Sequence, residues 1–161
     1  MKKHYIIPIF VPHLGCPNDC IFCNQKSISG QQKMITKEDI EKTIEFYLEN
    51  IRDKNSQIEV AFFGGSFTGI DEQKQEEFLQ VAYKYIQQGK IQSIRVSTRP
   101  DYIDKKVLKR LKKYKVETIE LGVQSANDYI LKRCNRGHSF KDVEKASKMI
   151  RWHGFKLGHQ M

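Results

Sequence analysis

The sequence HLGCPNDCIFCNQ, from His13 to Gln25, carries three of the four cysteines of the chain, Cys16, Cys20 and Cys23. Gaps of three and then two residues bring three thiolates within reach of a single inorganic centre. Two kinds of centre fit that donor set. A structural zinc ion takes four protein ligands, and His13 or Cys134 would supply the fourth. An iron–sulfur cubane takes four cysteines when fully ligated by protein; three would leave one iron open to another molecule. Disulfides are a poorer reading, because a disulfide framework spreads its cysteines along the chain, in a secreted protein. Cys134 stands apart and reads as a small buried or half-buried thiol.

Other polar residues recur where apolar runs end. AFFGGSFTG (Ala61 to Gly69) closes one run on Gly64, Gly65 and Ser66. Glycines there allow close approach to the backbone, so free amides and carbonyls can grip an ammonium or carboxylate; the same residues also suit a plain strand-to-helix turn. VSTRPD (Val96 to Asp101) closes the next run. Ser97 can bond a hydroxyl, Arg99 is a candidate for an anion, and Asp101 is placed to cap the following helix. ELGVQS (Glu120 to Ser125) ends a third run, where the Gln124 amide can read hydroxyls. LKRCNRGHS follows, with Arg136 suited to bidentate carboxylate binding; His138 and Ser139 read as the start of the next helix.

Something must hold these ends at one place. Tyr5 to Val11 is an apolar, β-branched run and predicts a strand. Further strands are expected over Ile58–Phe63, Ile91–Thr98, Val116–Val123 and Phe155–Met161. Helical periodicity marks Thr36–Arg52, with Thr36 as N-cap and Asp39 three residues on, then Asp71–Gln88, Asp104–Tyr114 and Ser139–Trp152. Strand alternating with helix predicts an α/β fold with a parallel sheet, closer to a (β/α) barrel than to an open doubly wound sheet. A full barrel takes about 250 residues. The 161 residues here hold about four βα units plus a fifth strand, a partial barrel truncated before closure. In a barrel the loops after the strands share the C-terminal face, where chemistry resides.

Composition narrows the class. Hydrophobic content of 39% and aromatic content of 11% argue for a real core, and no run approaches the ~18 apolar residues of a membrane span. The N-terminal MKKHYIIPIFVP resembles a leader only superficially, since Pro8 and Pro12 interrupt it and no small-residue cleavage site follows. A cytoplasmic protein with no membrane partner is the expectation. The formal charge of +9, from 28 basic and 19 acidic residues, favours polyanionic partners such as RNA. The basic amphipathic stretch KKVLKRLKKYK (Lys105 to Lys115) is either a solvated face or an RNA contact.

Cys16-x-x-x-Cys20-x-x-Cys23, with Phe22 before the last cysteine, resembles the cluster loop of the radical S-adenosylmethionine superfamily. The resemblance implies that the three thiolates hold a [4Fe–4S] cluster as metal ligands and that S-adenosylmethionine binds its open iron. It also implies an electron donor such as a ferredoxin or flavodoxin. Cofactor contacts carry over to Phe22, to Gly64, Gly65 and Ser66 for the methionine amino group, to Ser97 and Gln124 for the ribose, and to Arg136 for the carboxylate. Ser66 and Ser97 each stand where relatives have glutamate. VSTRPD, IELGVQS and LKRCNRGHS together resemble the Elongator catalytic subunit and its relatives, which modify the wobble uridine of tRNA. They also resemble the radical domain of oxygen-independent coproporphyrinogen III oxidase. The expected domain is the N-terminal part of a radical core over 1–161, with the remainder of the barrel and any C-terminal domain absent. The functions left open are tRNA modification, a radical reaction on a small molecule such as a porphyrin precursor, and a zinc-stabilised RNA-binding module.

Overall fold

The computed structural model describes residues 3–11, 20–23, 35–53 and 55–161. Five parallel strands form one open sheet: β1 (His4–Val11), β2 (Gln57–Gly64), β3 (Ser93–Thr98), β4 (Val116–Gly122) and β5 (Lys156–Gln160). Their spatial order is the order of the chain. Each crossover therefore steps the same way, which is how a barrel is wound; a doubly wound sheet reverses direction part-way. The expected partial (β/α) barrel is the architecture found.

The crossovers are α1 (Lys37–Asn50), α2 (Glu72–Gln87), α3 (Lys105–Lys113), and α4 (Asp128–Arg133) followed by α5 (Phe140–Trp152). Their starts are set chemically. Thr36 and Asp39 form the capping box of α1, and Ser139 and Asp142 repeat it at α5. The Asp104 carboxylate accepts from Val107 N at the start of α3. Asp101 is not that cap: it binds Arg99, with Nε 2.9 Å from Oδ1. The short helix α4 was not expected; six residues are too few to show a period, and Asn127 caps it by accepting from Tyr129 N.

Strand alternation sorts the side chains. Ile7, Ile9, Val11, Val60, Phe62, Ile94, Val96, Ile119 and Leu121 are buried and pack against Ile40, Ile44, Phe78, Leu79, Leu108 and Leu111 of the helices. The opposite face of the sheet is open, with Ile6 and Phe63 exposed. A polar ladder crosses it: Arg95 donates from Nε to Glu59 at 3.0 Å and pairs on its other side with Glu120. The Ser97 hydroxyl donates to Glu120 Oε2 at 3.2 Å.

Helix α3 is less free than its sequence implies. Arg110 is buried and donates to Gln75 Oε1 at 2.8 Å, and it also pairs with Glu72. Lys106 reaches Glu72 at 2.9 Å, and Lys112 donates to His153 O at 3.1 Å while lying over the Phe155 ring. These three cations are committed within the molecule, which weakens the reading of this helix as an RNA contact.

Candidate S-adenosylmethionine and cluster site

The site lies at the C-terminal ends of the strands and is built outward from two glycines. At the end of β2, Gly64 has φ +109, and a Cβ there would stand 2.6 Å from the Phe10 ring and 2.8 Å from Val11 O. Only glycine suits that turn. Gly65 N then donates to Val11 O at 2.9 Å, which ties the glycine turn to the end of β1, from which the cysteine segment departs.

Ser66 is buried, in a chain of hydroxyls rather than at an open surface. Its Oγ lies 2.9 Å from Thr98 Oγ1 and accepts from Arg99 N at 3.3 Å. Thr98 Oγ1 also meets Thr68 Oγ1, which donates to Tyr102 O at 3.1 Å. Because a carbonyl can only accept, the protons run one way, Ser66 to Thr98 to Thr68 to Tyr102. The Ser66 proton is thus spent on Thr98, and the clasp fixes the end of β2 to the end of β3. Arg99, also buried, lies against Asp101, so its charge is largely met inside the protein.

The second glycine, Gly122, ends β4. A Cβ at this position would lie 2.6 Å from Arg136 Nη2 and 3.5 Å from Gln124 Nε2. The absence of a side chain lets Arg136 cross the strand end. Its Nη2 donates to Gly122 O at 2.7 Å, its Nε to His138 Nε2 at 3.1 Å, and its Nη1 points at Cys20 Sγ, 3.8 Å away. Gln124, at φ +70, leaves the strand direction beside it. Sequence periodicity cannot show this crossing, since it joins residues fourteen positions apart through a backbone carbonyl.

The cysteine turn is docked on the same segment. Cys23 N donates to Cys20 O at 2.8 Å, Ile21 N to Cys134 O at 3.2 Å, and Cys20 Sγ lies 3.6 Å from Asn135 O. Cys20 is buried and Cys23 half-buried, while Phe22 is half exposed. Cys20 and Cys134 are free thiols. Cys16 and His13 lie outside the described residues. The donor set fits a thiolate-ligated cluster: two cysteines share one tight turn, and a guanidinium faces the sulfur of one of them, where negative charge would be carried.

His138 is the residue that sequence reasoning misplaced. It does not start α5; Ser139 does. His138 is buried beneath Arg136, and burial first, then the charges of Arg136 and Arg99, hold its imidazole below the ordinary histidine value. The spacing Arg-Gly-His was visible. What was not visible is that Gly137, at φ +78, folds the two side chains onto each other.

Ser97 and Gln124 lie on different strand ends, and Ser97 is engaged by Glu120, its ladder partner. Glu120, which holds Ser97, carries no mark in the sequence, because a lone carboxylate in an apolar strand gives no local pattern that names its partner.

Successive parallel βα units, with a cysteine turn and two glycines brought to the strand ends, define a partial (β/α) barrel whose C-terminal face gathers the candidate site. The comparisons agree: residues 10–161 match the model of the Radical SAM superfamily, and the chain belongs to that family. A tRNA uridine(34) acetyltransferase of Methanocaldococcus infernus is 28% identical over 131 residues, covering 71% of this chain and 24% of that protein. An uncharacterized protein of Methanocaldococcus jannaschii is 32% identical over 174 aligned positions, covering 98% of this chain and 51% of that one. The solved structure of the Methanocaldococcus infernus Elp3 superposes with a TM-score of 0.70 at 23% identity, covering 99% of this chain and 38% of that chain. The chain thus spans about half or less of these relatives. No helix among the described residues is long and apolar enough to cross a membrane.

Proposed function

We propose that this chain is the cofactor-binding part of a radical S-adenosylmethionine enzyme, in which Cys16, Cys20 and Cys23 ligate a [4Fe–4S] cluster. The observation that carries this reading is the Arg136 guanidinium, carried over Gly122 to within 3.8 Å of Cys20 Sγ. A cation held there is suited both to cluster sulfur and to a carboxylate bound beside it. When bound, the cluster and S-adenosylmethionine together supply a one-electron cleavage that yields a 5′-deoxyadenosyl radical for hydrogen abstraction.

The chain's own residues bind and orient. The turn at Gly64 and Gly65 exposes backbone to the methionine ammonium. Arg136 takes the carboxylate, and Gln124 with Ser97 takes ribose hydroxyls. Ser66 acts indirectly, because its hydroxyl proton goes to Thr98; it sets the angle of the glycine turn. Phe22 offers an apolar face beside Cys23. An electron donor such as a ferredoxin or flavodoxin completes the reaction.

For the substrate we propose tRNA. The support is the +9 charge and the similarity to a tRNA uridine(34) acetyltransferase. The contact is not expected through Lys106, Arg110 and Lys112 of α3, which are already engaged.

The test is anaerobic reconstitution followed by iron and sulfide analysis. Cys16→Ala, Cys20→Ala and Cys23→Ala should each lose the cluster and S-adenosylmethionine cleavage, whereas Cys134→Ala keeps both. Stoichiometric zinc without sulfide overturns the reading. Affinity for tRNA should fall steeply with added salt; salt-insensitive binding, or none, would remove RNA as the substrate.

A further inference from the structure

Arg136 has many possible rotamers, yet one orientation must serve both the cluster cysteine and the carboxylate, so something must select it. The Gly122 carbonyl accepts from Nη2, but one contact leaves a guanidinium free to swing about that bond. The second contact is the His138 ring, whose Nε2 lies 3.1 Å from Arg136 Nε. With Nη2 and Nε both engaged, the plane of the fork is fixed and Nη1 is left directed at Cys20 Sγ. We propose that His138 is a positioning residue, its neutral imidazole accepting from Arg136 Nε and so aiming the guanidinium at the cluster cysteine and the bound carboxylate.

The chemistry defines the tautomer. Arginine has no acceptor, so Nε2 must offer its lone pair and the ring proton must sit on Nδ1. Nδ1 lies 3.3 Å from Ser139 O, a carbonyl placed to take that proton. A protonated ring would bring an N–H against the Arg136 N–H; it would have to turn to Gly122 O, 3.3 Å from Nε2, which Nη2 shares at 2.7 Å, and Arg136 Nε would lose its acceptor. The charged groups facing His138 are Arg136 and Arg99, which oppose its protonation, and the carboxylates of Asp101 and Asp142. Burial at 7% exposure adds the desolvation of a charged ring to the cost of protonation. The imidazole is therefore kept as an acceptor. This inference rests on Arg136 binding the carboxylate of S-adenosylmethionine.

Two substitutions separate aiming from packing. His138→Gln keeps an acceptor, its side-chain carbonyl, whereas His138→Leu fills the space without one. The reconstituted chain and both variants are compared for iron content, for S-adenosylmethionine affinity by titration, and for the change that S-adenosylmethionine produces in the electron paramagnetic resonance signal of the reduced cluster. The expected result is equal iron in all three, affinity within about 3-fold of the native chain in His138→Gln, and affinity about 10-fold or more weaker in His138→Leu, the size of one charge-assisted hydrogen bond. Native-like affinity and an unchanged resonance response in His138→Leu would overturn the proposal. Nitrogen-15 resonances of the cluster-free chain give an independent answer: an unprotonated Nε2 coupled to Arg136 Nε–H is expected, and a protonated Nε2 refutes it. If the native chain took up no cluster, the functional reading would fall while this second measurement still decided the role of His138.

Discussion

A methyl group at position 122 would stand inside hydrogen-bonding distance of the Arg136 guanidinium. The backbone of Gly122 is ordinary strand, so alanine is acceptable to the strand; the obstruction is the 2.6 Å approach to Arg136 Nη2. Gly122→Ala should therefore leave the fold intact and the cluster present while weakening S-adenosylmethionine by about tenfold, as read by titration. Unchanged affinity would mean that Arg136 does not act from this position. His138 predicts a pH effect at the same scale. Its value in the folded chain lies below that in the unfolded chain, chiefly from burial, so the unfolded chain binds the extra proton. Stability is fully present above the ordinary histidine value, about 6.5. It declines as pH falls from there toward the folded-state value. Urea midpoints of the cluster-free chain between about pH 7 and pH 5 should drop more for the native protein than for His138→Gln; parallel curves would contradict the assignment.

Between elements, polar contacts do selected work. The α2 and α3 helices are joined by Arg110, which is buried yet meets Gln75 and Glu72. Gln75 is itself buried and donates through Nε2 to Ile70 O at 2.7 Å and Thr68 O at 3.1 Å. It thereby connects the helix pair to the loop that follows the glycine turn. Arg110→Met keeps the aliphatic stem but strands the Gln75 carbonyl away from any donor. A loss of about 1–3 kcal/mol in urea unfolding is expected for a buried polar group left unpaired. Lys106→Met removes an exposed pair with Glu72 and should cost about 0.5 kcal/mol or less. Equal costs would show that the buried network contributes no more than a surface ion pair.

Across the whole molecule, the sheet has one covered face and one open face. Phe62 and Phe63 are adjacent in sequence and point to opposite sides: Phe62 is fully buried under the helices, Phe63 is 38% exposed beside Phe10 on the open side. Phe62→Ala should cost about 3–5 kcal/mol in this chain. Phe63→Ala should cost much less, because the ring is only partly removed from water. Similar losses would mean that the open face is covered in solution. The polar ladder Glu59–Arg95–Glu120 lies on that open side. Its two carboxylates share the one Arg95 guanidinium, so each acidic group has a cationic partner while the ladder as a whole stays acidic.

Much of this protein can be read from its residues in order. The alternation of strands and helices, the Thr36 and Ser139 caps, the glycine turn at Gly64 and Gly65, and the clustered cysteines are all local signals. Periodicity and capping act within a few residues of the chain, which is why they survive without a structure. Placing Arg136, Gly122, Cys20 and His138 at one point required the tertiary fold. Their contacts join residues up to 116 positions apart and depend on a missing Cβ, a left-handed Gly137 and a carbonyl at a strand end. The commitment of Ser66 to Thr98 and of Arg110 to Gln75 was hidden for the same reason: hydrogen-bond partners across strands and helices are set by packing geometry, which no local pattern records.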